Sequence, residues 1–441
     1  VDGLDRQDRR VQGDAGQVPA VLALLYRIHP SKSQLIPKSA LKVDKETCNY
    51  KGDWMKTAFL AAECVGVEGR VRNAVVVVED GIVVSVGARE QTAIPSGASM
   101  VDLGDDVLAP GFIDMHIHGG AGHDVMEGTQ EAIAALELHL ARHGTTSYCP
   151  TTVSARMDVT LRALEFLANE IEAVPRRPAE ELRARPLGIH LEGPFISKEK
   201  AGAHPLECIA EPSLGSFDRL WEAARGHVKV MTIAPEVPGA EEVIREAASR
   251  GVCVSLGHSN ATLEQTRCGI AAGGRHVTHV FNAMRPLDHR EPGILGCALA
   301  DDSISAEMIV DGVHVHPEIV KLFLDAKRGQ AVLVTDAISA TGMPDGQYQL
   351  GGFVVEVKGD VCTSHGRLAG SVLTLDRALR NVMKFTGATL DTALRMATMS
   401  PARTLGLCGR KGVIGPGADA DFVLLTTDGQ VSRTIVGGRS Q

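Results

Sequence analysis

Two histidines one residue apart close the apolar run in PGFIDMHIHGG, residues 110–120. In an extended strand residues i and i+2 share a face, so His116 and His118 project together. Side-by-side imidazoles suit a divalent metal, provided the chain supplies partners. Further groups of that kind end later apolar runs: Glu192 in GIHLEG, His258 in VSLGHS, His279 in THVFN and Asp336 in VTDA. Imidazoles with a carboxylate favour Zn²⁺, with Fe²⁺ or Mn²⁺ as alternatives, and a catalytic ion keeps one position open. Such an ion lowers the pKa of water from 15.7 towards about 7. Asp336 then has the chemistry to take the water proton and deliver it to a leaving group. Together these groups point to amide-bond hydrolysis.

These residues can meet only if the fold brings them to one place. Eight apolar runs read as strands: 112–118, 145–152, 186–193, 228–235, 252–259, 275–282, 304–312 and 331–337. Most are joined by stretches of helical period. TQEAIAALELHLARHG (129–144) has a Thr cap before it and a Gly stop after it, and AEEVIREAASRG (240–251) also ends on Gly. Eight such units predict an α/β fold, a (β/α)₈ TIM-type barrel, with its active site at the C-terminal ends of the strands. His116, His118, Glu192, His258, His279 and Asp336 all fall at those ends. His190 and His276 are read as structural, on the strand face away from the ligands, and Cys149 as packing. His123 and His316 are read as structural or as support for neighbouring ligands. AVVVVEDGIVVSVG (74–87) is a hairpin signal, and the segment 411–438 has the same strand-and-turn texture. The expected organisation is a small β-sandwich built from residues 55–110 and 409–441, around a barrel spanning 111–408.

Composition narrows the function. The 441 residues carry a net charge of −9 and only 4% aromatics, so there is no basic or base-stacking footprint for nucleic acid. The longest apolar runs are too short to cross a bilayer. MKTAFLAAECVG (55–66) superficially resembles a signal peptide, but it runs straight into strand-like sequence. Nine cysteines without a CxxC pair fit a reducing, cytoplasmic setting. Residues 1–54 are polar and aperiodic, and are expected to be a disordered extension or a translation artefact.

Beyond these groups, GIHLEGPFIS with KAGAHP (200–205), VSLGHSNAT (254–262), THVFNAM (278–284), HREPGILG (289–296), DGVHV (311–315), VTDAISATG (334–342) and LAGS (368–371) carry a resemblance. Over residues 57–438 the chain resembles the N-acetylglucosamine-6-phosphate deacetylase family of the amidohydrolase superfamily. The resemblance implies release of acetate from a phosphorylated amino sugar, in amino-sugar catabolism and cell-wall recycling. It makes Glu192, His258 and His279 metal ligands and Asp336 the catalytic acid/base. It places His204 on the acetyl carbonyl with Ala203 beside it, and Asn282 and Ala283 on the sugar phosphate. Arg290 and His314 become the phosphate-binding pair, one of them available from a neighbouring subunit of a homodimer. Leu368, Ala369 and Gly370 line the acetyl pocket. Members with Gln-x-Asn in place of the histidine pair use a single metal; retention of His116 and His118 implies one or two ions, with Glu192 bridging a pair. Zinc is the expected metal, with Fe, Mn or Co as alternatives. The rival readings are another amidohydrolase, acting on a different N-acyl phosphosugar or an N-acyl amino acid, and a barrel that has lost its chemistry. A bridging lysine would mark the cyclic-amidase branch, and here the corresponding position is Glu192. A non-catalytic relic should lack a ligand or the acid/base, and all are present.

Overall fold

The eight predicted runs form the parallel strands of one barrel: β1 (Phe112–Ile117), β2 (Thr145–Thr152), β3 (Ile189–Glu192), β4 (Val228–Ile233), β5 (Cys253–Leu256), β6 (His276–Val277), β7 (Ser305–Ile309) and β8 (Ala331–Val334). This is seen in a computed structural model, which describes residues 56–176, 182–327 and 329–440. The expectation for residues 1–54 lies outside the described residues. Each strand pairs in parallel with the next in sequence. Nearly every strand residue is buried, because a barrel covers its strands on both faces and so selects continuous rather than alternating apolar sequence. The barrel closes between β8 and β1. There the Asp336 N–H donates to the His116 carbonyl at 2.9 Å and the His118 N–H to that of Ala337 at 2.8 Å. The closing seam therefore sets the first-strand histidines directly against Asp336.

Helices follow the strands where the helical period lay. α1 (Gln130–Arg142) starts at Thr129, whose hydroxyl accepts from the Ala132 N–H, satisfying one of the donors a helix start leaves open. The remaining crossover helices are α2 (Met157–Ala173), α3 (Leu214–Ala223), α4 (Ala240–Ser249), α5 (Leu263–Ala272), α6 (Gly293–Ala300), α7 (Pro317–Lys327) and α8 (Leu375–Thr386). Their apolar faces, including Leu136, Leu164, Phe217, Ile244, Phe323 and Leu379, pack on the barrel strands in one contiguous core. Beyond α8 the chain adds α9 (Leu390–Ala397) and α10 (Met399–Thr404).

The two terminal segments build a single hydrogen-bonded sheet of eight strands. The segment Phe422–Leu425 near the end of the chain pairs antiparallel with Val107–Pro110, and Phe59 meets Phe422 edge-to-face at 5.8 Å. The predicted hairpin forms between Gly69–Glu79 and Ile82–Ala88. Its turn residues Asp80 and Gly81 both have positive φ, the backbone that a two-residue hairpin turn requires.

Two features depart from the sequence reading. β6 is much shorter than the predicted 275–282, because the chain turns out of the sheet at His279 (φ 20°), Phe281 (φ 80°) and Ala283 (φ 48°). The stretch after β8 holds an unassigned four-stranded antiparallel sheet: Gly346–Leu350, Phe353–Lys358, Val361–Ser364 and Arg367–Leu368. It packs Leu350, Val355, Val357 and Cys362 on Ile338 and Ala340, beside the C-terminal mouth of the barrel. Gly119 allows the loop after β1 to approach that region, since a Cβ there would lie 2.3 Å from the His123 carbonyl oxygen and 2.9 Å from the Ser339 nitrogen.

Candidate active site

Four imidazoles surround the Glu192 carboxylate at the barrel mouth. The Nε2 atoms of His258 and His279 each lie 3.1 Å from Oε1, and that of His116 lies 3.3 Å from it. His118 Nε2 is 3.2 Å from Oε2. Asp336 Oδ1 is 3.1 Å from His118 Nε2 and 3.5 Å from His116 Nε2. All six side chains are buried. His258, His279 and Asp336 sit just past the ends of β5, β6 and β8 with positive φ. Non-glycine residues rarely adopt that backbone, and it persists where surrounding bonds over-determine it.

The outer ring nitrogens decide what the inner ones do. His116 Nδ1 meets Glu307 Oε1 at 2.6 Å, His118 Nδ1 the Thr151 carbonyl at 3.1 Å, and His258 Nδ1 the Lys200 carbonyl at 2.9 Å. Carboxylate and carbonyl oxygens only accept, so each Nδ1 carries the proton and each Nε2 turns a lone pair inward. His258 Nε2 and His279 Nε2 stand 3.1 Å apart, and the fully buried His116 Nε2 makes no hydrogen bond. Lone pairs crowded in this way around a carboxylate require positive charge between them. The donor set thus fits a divalent ion, and the trios His116–His118–Glu192 and Glu192–His204–His258 are each compact enough to grip one.

Electrostatics point the same way. Burial works against a charged His118, but hydrogen bonds to Asp336 and Glu192 outweigh it and raise its pKa to about 9. Burial likewise opposes charge on Asp336, yet the His118 hydrogen bond and the charges of His116 and His118 hold its carboxyl below the usual range. The carboxylates call for positive charge, which a metal ion would supply in place of protons.

His204 is different. The Ser154 backbone N–H donates to its Nδ1 at 3.1 Å, so the ring proton resides on Nε2, which faces Glu192 Oε2 at 3.3 Å. Burial pulls its pKa down to about 4 despite Glu192. A neutral imidazole with Nε2–H is a hydrogen-bond donor rather than a metal ligand. We therefore set His204 apart from the ligand trio that proximity alone would give it.

One cavity joins these groups to most of the other predicted residues. His118, Glu192, Ala203, His204, His258, His279, Asn282, Ala283, His314, Asp336, Leu368, Ala369 and Gly370 line it, with Val153, Leu350 and Phe353 closing its apolar side. His314 Nδ1 bonds Asp311 Oδ2 at 2.7 Å. Burial disfavours its charge, but that bond and the Asp311 charge raise its pKa above the ordinary value. No lysine or arginine lines the cavity among the described residues. Arg290 lies apart on an exposed loop, its guanidinium against His289.

His190 and His276 do not face away from the ligands. Residues two apart in a strand share a face, and His190 points into the barrel below Glu192, its ring 4.5 Å from that of His116. It bonds the Met115 carbonyl at 3.1 Å and Thr232 Oγ1 at 2.8 Å, which uses both ring nitrogens structurally. His276 packs inward on Glu307, 3.1 Å from Oε2. Sequence reasoning missed Glu307, Ser154 and Phe353. The signal for Glu307 was a lone acid within the apolar run ISAEMIV. Phe353 belongs to the unassigned sheet, whose Gly-Gly, Gly-Asp and His-Gly turns were legible (351–366). Cys149 is buried, and burial pushes its thiol pKa up, as packing requires.

Among curated proteins, the chain is 38% identical to an N-acetylgalactosamine-6-phosphate deacetylase of Escherichia coli O157:H7, over 82% of this chain and 93% of that one. It is 37% identical to an N-acetylglucosamine-6-phosphate deacetylase of Lysinibacillus sphaericus, over 85% of this chain and 95% of that one. Among solved structures it resembles an N-acetyl-D-glucosamine-6-phosphate deacetylase from Mycobacterium smegmatis in complex with N-acetyl-D-glucosamine-6-phosphate. There the TM-score is 0.79 at 35% identity, covering 88% of this chain and 99% of that one. The sequence model of the amidohydrolase family matches residues 107–440, the span that carries the barrel and the strands pairing on either side of it. The chain belongs to the amidohydrolase family.

Proposed function

We propose that the chain hydrolyses the acetamide of N-acetylglucosamine 6-phosphate to glucosamine 6-phosphate and acetate, in amino-sugar metabolism. The observation carrying this reading is the arrangement of four inward-facing Nε2 atoms within 3.1–3.3 Å of Glu192, with Asp336 beside them in one cavity. Glu192, His258 and His279, with His116 and His118, would hold one or two divalent ions; zinc suits the donors best, with Fe, Mn or Co as alternatives. When bound, a divalent ion supplies a nucleophilic hydroxide at neutral pH, by lowering the pKa of water from 15.7 to about 7. Asp336, held ionised by the histidines beside it, accepts the proton of the attacking water and returns it to the departing amine. The Nε2–H of His204 donates to the acetyl oxygen, on which negative charge develops as the carbonyl is attacked. Leu368, Ala369 and Gly370 enclose the acetyl group, Ala203 contacts the substrate beside His204, and Asn282 and Ala283 contact the sugar phosphate.

The phosphate takes its charge complement from His314 and from Arg290. The exposed position of Arg290, away from the cavity lining, supports its being supplied across a homodimer. We place the enzyme in the cytoplasm: most of the described cysteines are buried and none is in a disulfide, and no described helix is long and apolar enough to cross a membrane. We assign residues 55–110 and 409–441 to the sheet domain and 111–408 to the barrel.

A second substrate is favoured by one finding, the 38% identity to an enzyme named for the galactose epimer. Acetate release from N-acetylglucosamine 6-phosphate, N-acetylgalactosamine 6-phosphate and unphosphorylated N-acetylglucosamine separates the readings. We expect the glucosamine phosphoester to be preferred over the free sugar by at least about 100-fold, the scale of a lost charge-assisted contact to phosphate. His314→Ala should raise KM for the phosphoester and leave the free sugar unaffected. Equal rates with and without phosphate would remove the assigned substrate, and faster turnover of the galactose epimer would transfer the assignment.

A further inference from the structure

Glu307 lies at the centre of β7, wholly buried and absent from the cavity lining. Inward positions of a barrel strand are ordinarily filled by branched apolar side chains, and a buried carboxylate is costly unless fully paired. Glu307 is fully paired. Its Oε1 lies 2.6 Å from His116 Nδ1 and accepts the backbone N–H of His279 at 3.0 Å, while Oε2 lies 3.1 Å from His276 Nε2. We propose that Glu307 is a positioning residue that ties the two sides of the ligand set together, holding His116 by its ring and His279 by its backbone. The inference rests on the metal-centre reading above.

Both attachments matter geometrically. Without an acceptor at Nδ1, the His116 ring has no bond that fixes its proton and turns its Nε2 lone pair toward Glu192. His279 has φ 20°, at the edge of the region that favours glycine, and the hydrogen bond its backbone N–H donates to Glu307 holds the main chain there. The carboxylate is itself anchored from below. His276 Nδ1 lies 2.7 Å from Ser305 Oγ, and Thr404 Oγ1 of α10 lies 3.0 Å from the same oxygen. This line of bonds runs from the ligands to a helix outside the barrel, so Glu307 cannot swing aside. One oxygen therefore sets a ligand on β1 and another beyond β6, strands that are not neighbours in the barrel.

The test uses Co²⁺ as the probe, titrated into the metal-free full chain and followed by visible absorption and bound-metal content. Wild type should take up two ions. Glu307→Gln keeps the shape and one acceptor oxygen; it should fold as wild type by thermal melting yet weaken one ion by about 10-fold. Glu307→Ala should weaken it by about 100-fold, the upper end of the range for outer partners of metal ligands. Both should shift the cobalt bands, and turnover at saturating cobalt should recover more fully in the glutamine variant than in the alanine one. Should the alanine variant fail to fold, the glutamine variant decides. Wild-type affinities and spectra in a folded variant would overturn the proposal while leaving the metal centre standing. Uptake of a single ion by wild type would also overturn it, and uptake of none would overturn the metal-centre reading as well.

Discussion

Replacing Asp336 by Asn removes one charge and one proton acceptor while keeping the shape of the side chain. The structure places that carboxylate 3.1 Å from His118 Nε2 and 3.5 Å from His116 Nε2, at the end of the cavity where β8 closes on β1. The placement of His258 and His279 against Glu192, each 3.1 Å from Oε1, does not involve it, so metal content should be retained. An amide cannot take the proton of an attacking water, and loss of a positioned acid/base costs about 10²–10⁴ in rate. At 1.36 kcal/mol per decade that is roughly 3–5 kcal/mol of transition-state stabilisation. The loss should appear in kcat, with KM for the phosphoester within a few-fold of wild type, because the substrate contacts proposed for His204 and His314 are unchanged. The acidic limb of the kcat profile, where Asp336 becomes protonated, should vanish in the variant. The assay is steady-state acetate release at saturating metal, with bound metal measured on the same sample. A metal-loaded Asp336→Asn enzyme turning over within tenfold of wild type would refute the reasoning.

Two further predictions concern stability. Burial raises the pKa of Asp376 at the start of α8, but bonds from His143 and Thr374 and the charges of His143 and Arg380 hold its carboxyl well below the usual range. A depressed folded-state value contributes stability above the unfolded pKa of about 4 and loses it as pH falls. The melting temperature of Asp376→Asn should therefore lie below wild type at pH 6.5, and the gap should narrow as pH is lowered from about 5 towards 3; a gap independent of pH would contradict this. Lys327 is wholly buried, and its ammonium caps the carboxyl end of α6 by donating to the carbonyls of Ala298 at 2.7 Å and Asp301 at 2.8 Å. Lys327→Met leaves both acceptors unpaired and should destabilise the fold by about 2–4 kcal/mol; a change below about 1 kcal/mol in urea unfolding would contradict it.

The barrel was legible because its strands are buried on both faces. That makes them continuous apolar runs such as AVLV and SAEMI, set between helices with periodic apolar positions and caps such as Thr129. The ligand types were legible because polar groups at the ends of such runs have few structural reasons to be there. The sheet at 346–368 went unassigned although its turns were visible, because short alternating runs do not state which surface they will cover. Arg290 shows the converse: the family resemblance proposes a role for it, while its exposed loop leaves it outside the cavity of its own chain.

His116, His118, Glu192, His258, His279 and Asp336 were determined by the sequence as a set of chemically capable residues at strand ends, since spacing along a strand dictates which side chains share a face. What tertiary structure alone decided was the proton on most of these imidazoles. Ser154 makes His204 a donor, Thr151, Lys200 and Glu307 leave His118, His258 and His116 with inward lone pairs, and Thr232 with Met115 occupies both nitrogens of His190. All five are the same residue type in the sequence. Their roles diverge because a ring nitrogen's proton is set by whichever atom lies opposite it, and those atoms come from segments far apart in the chain.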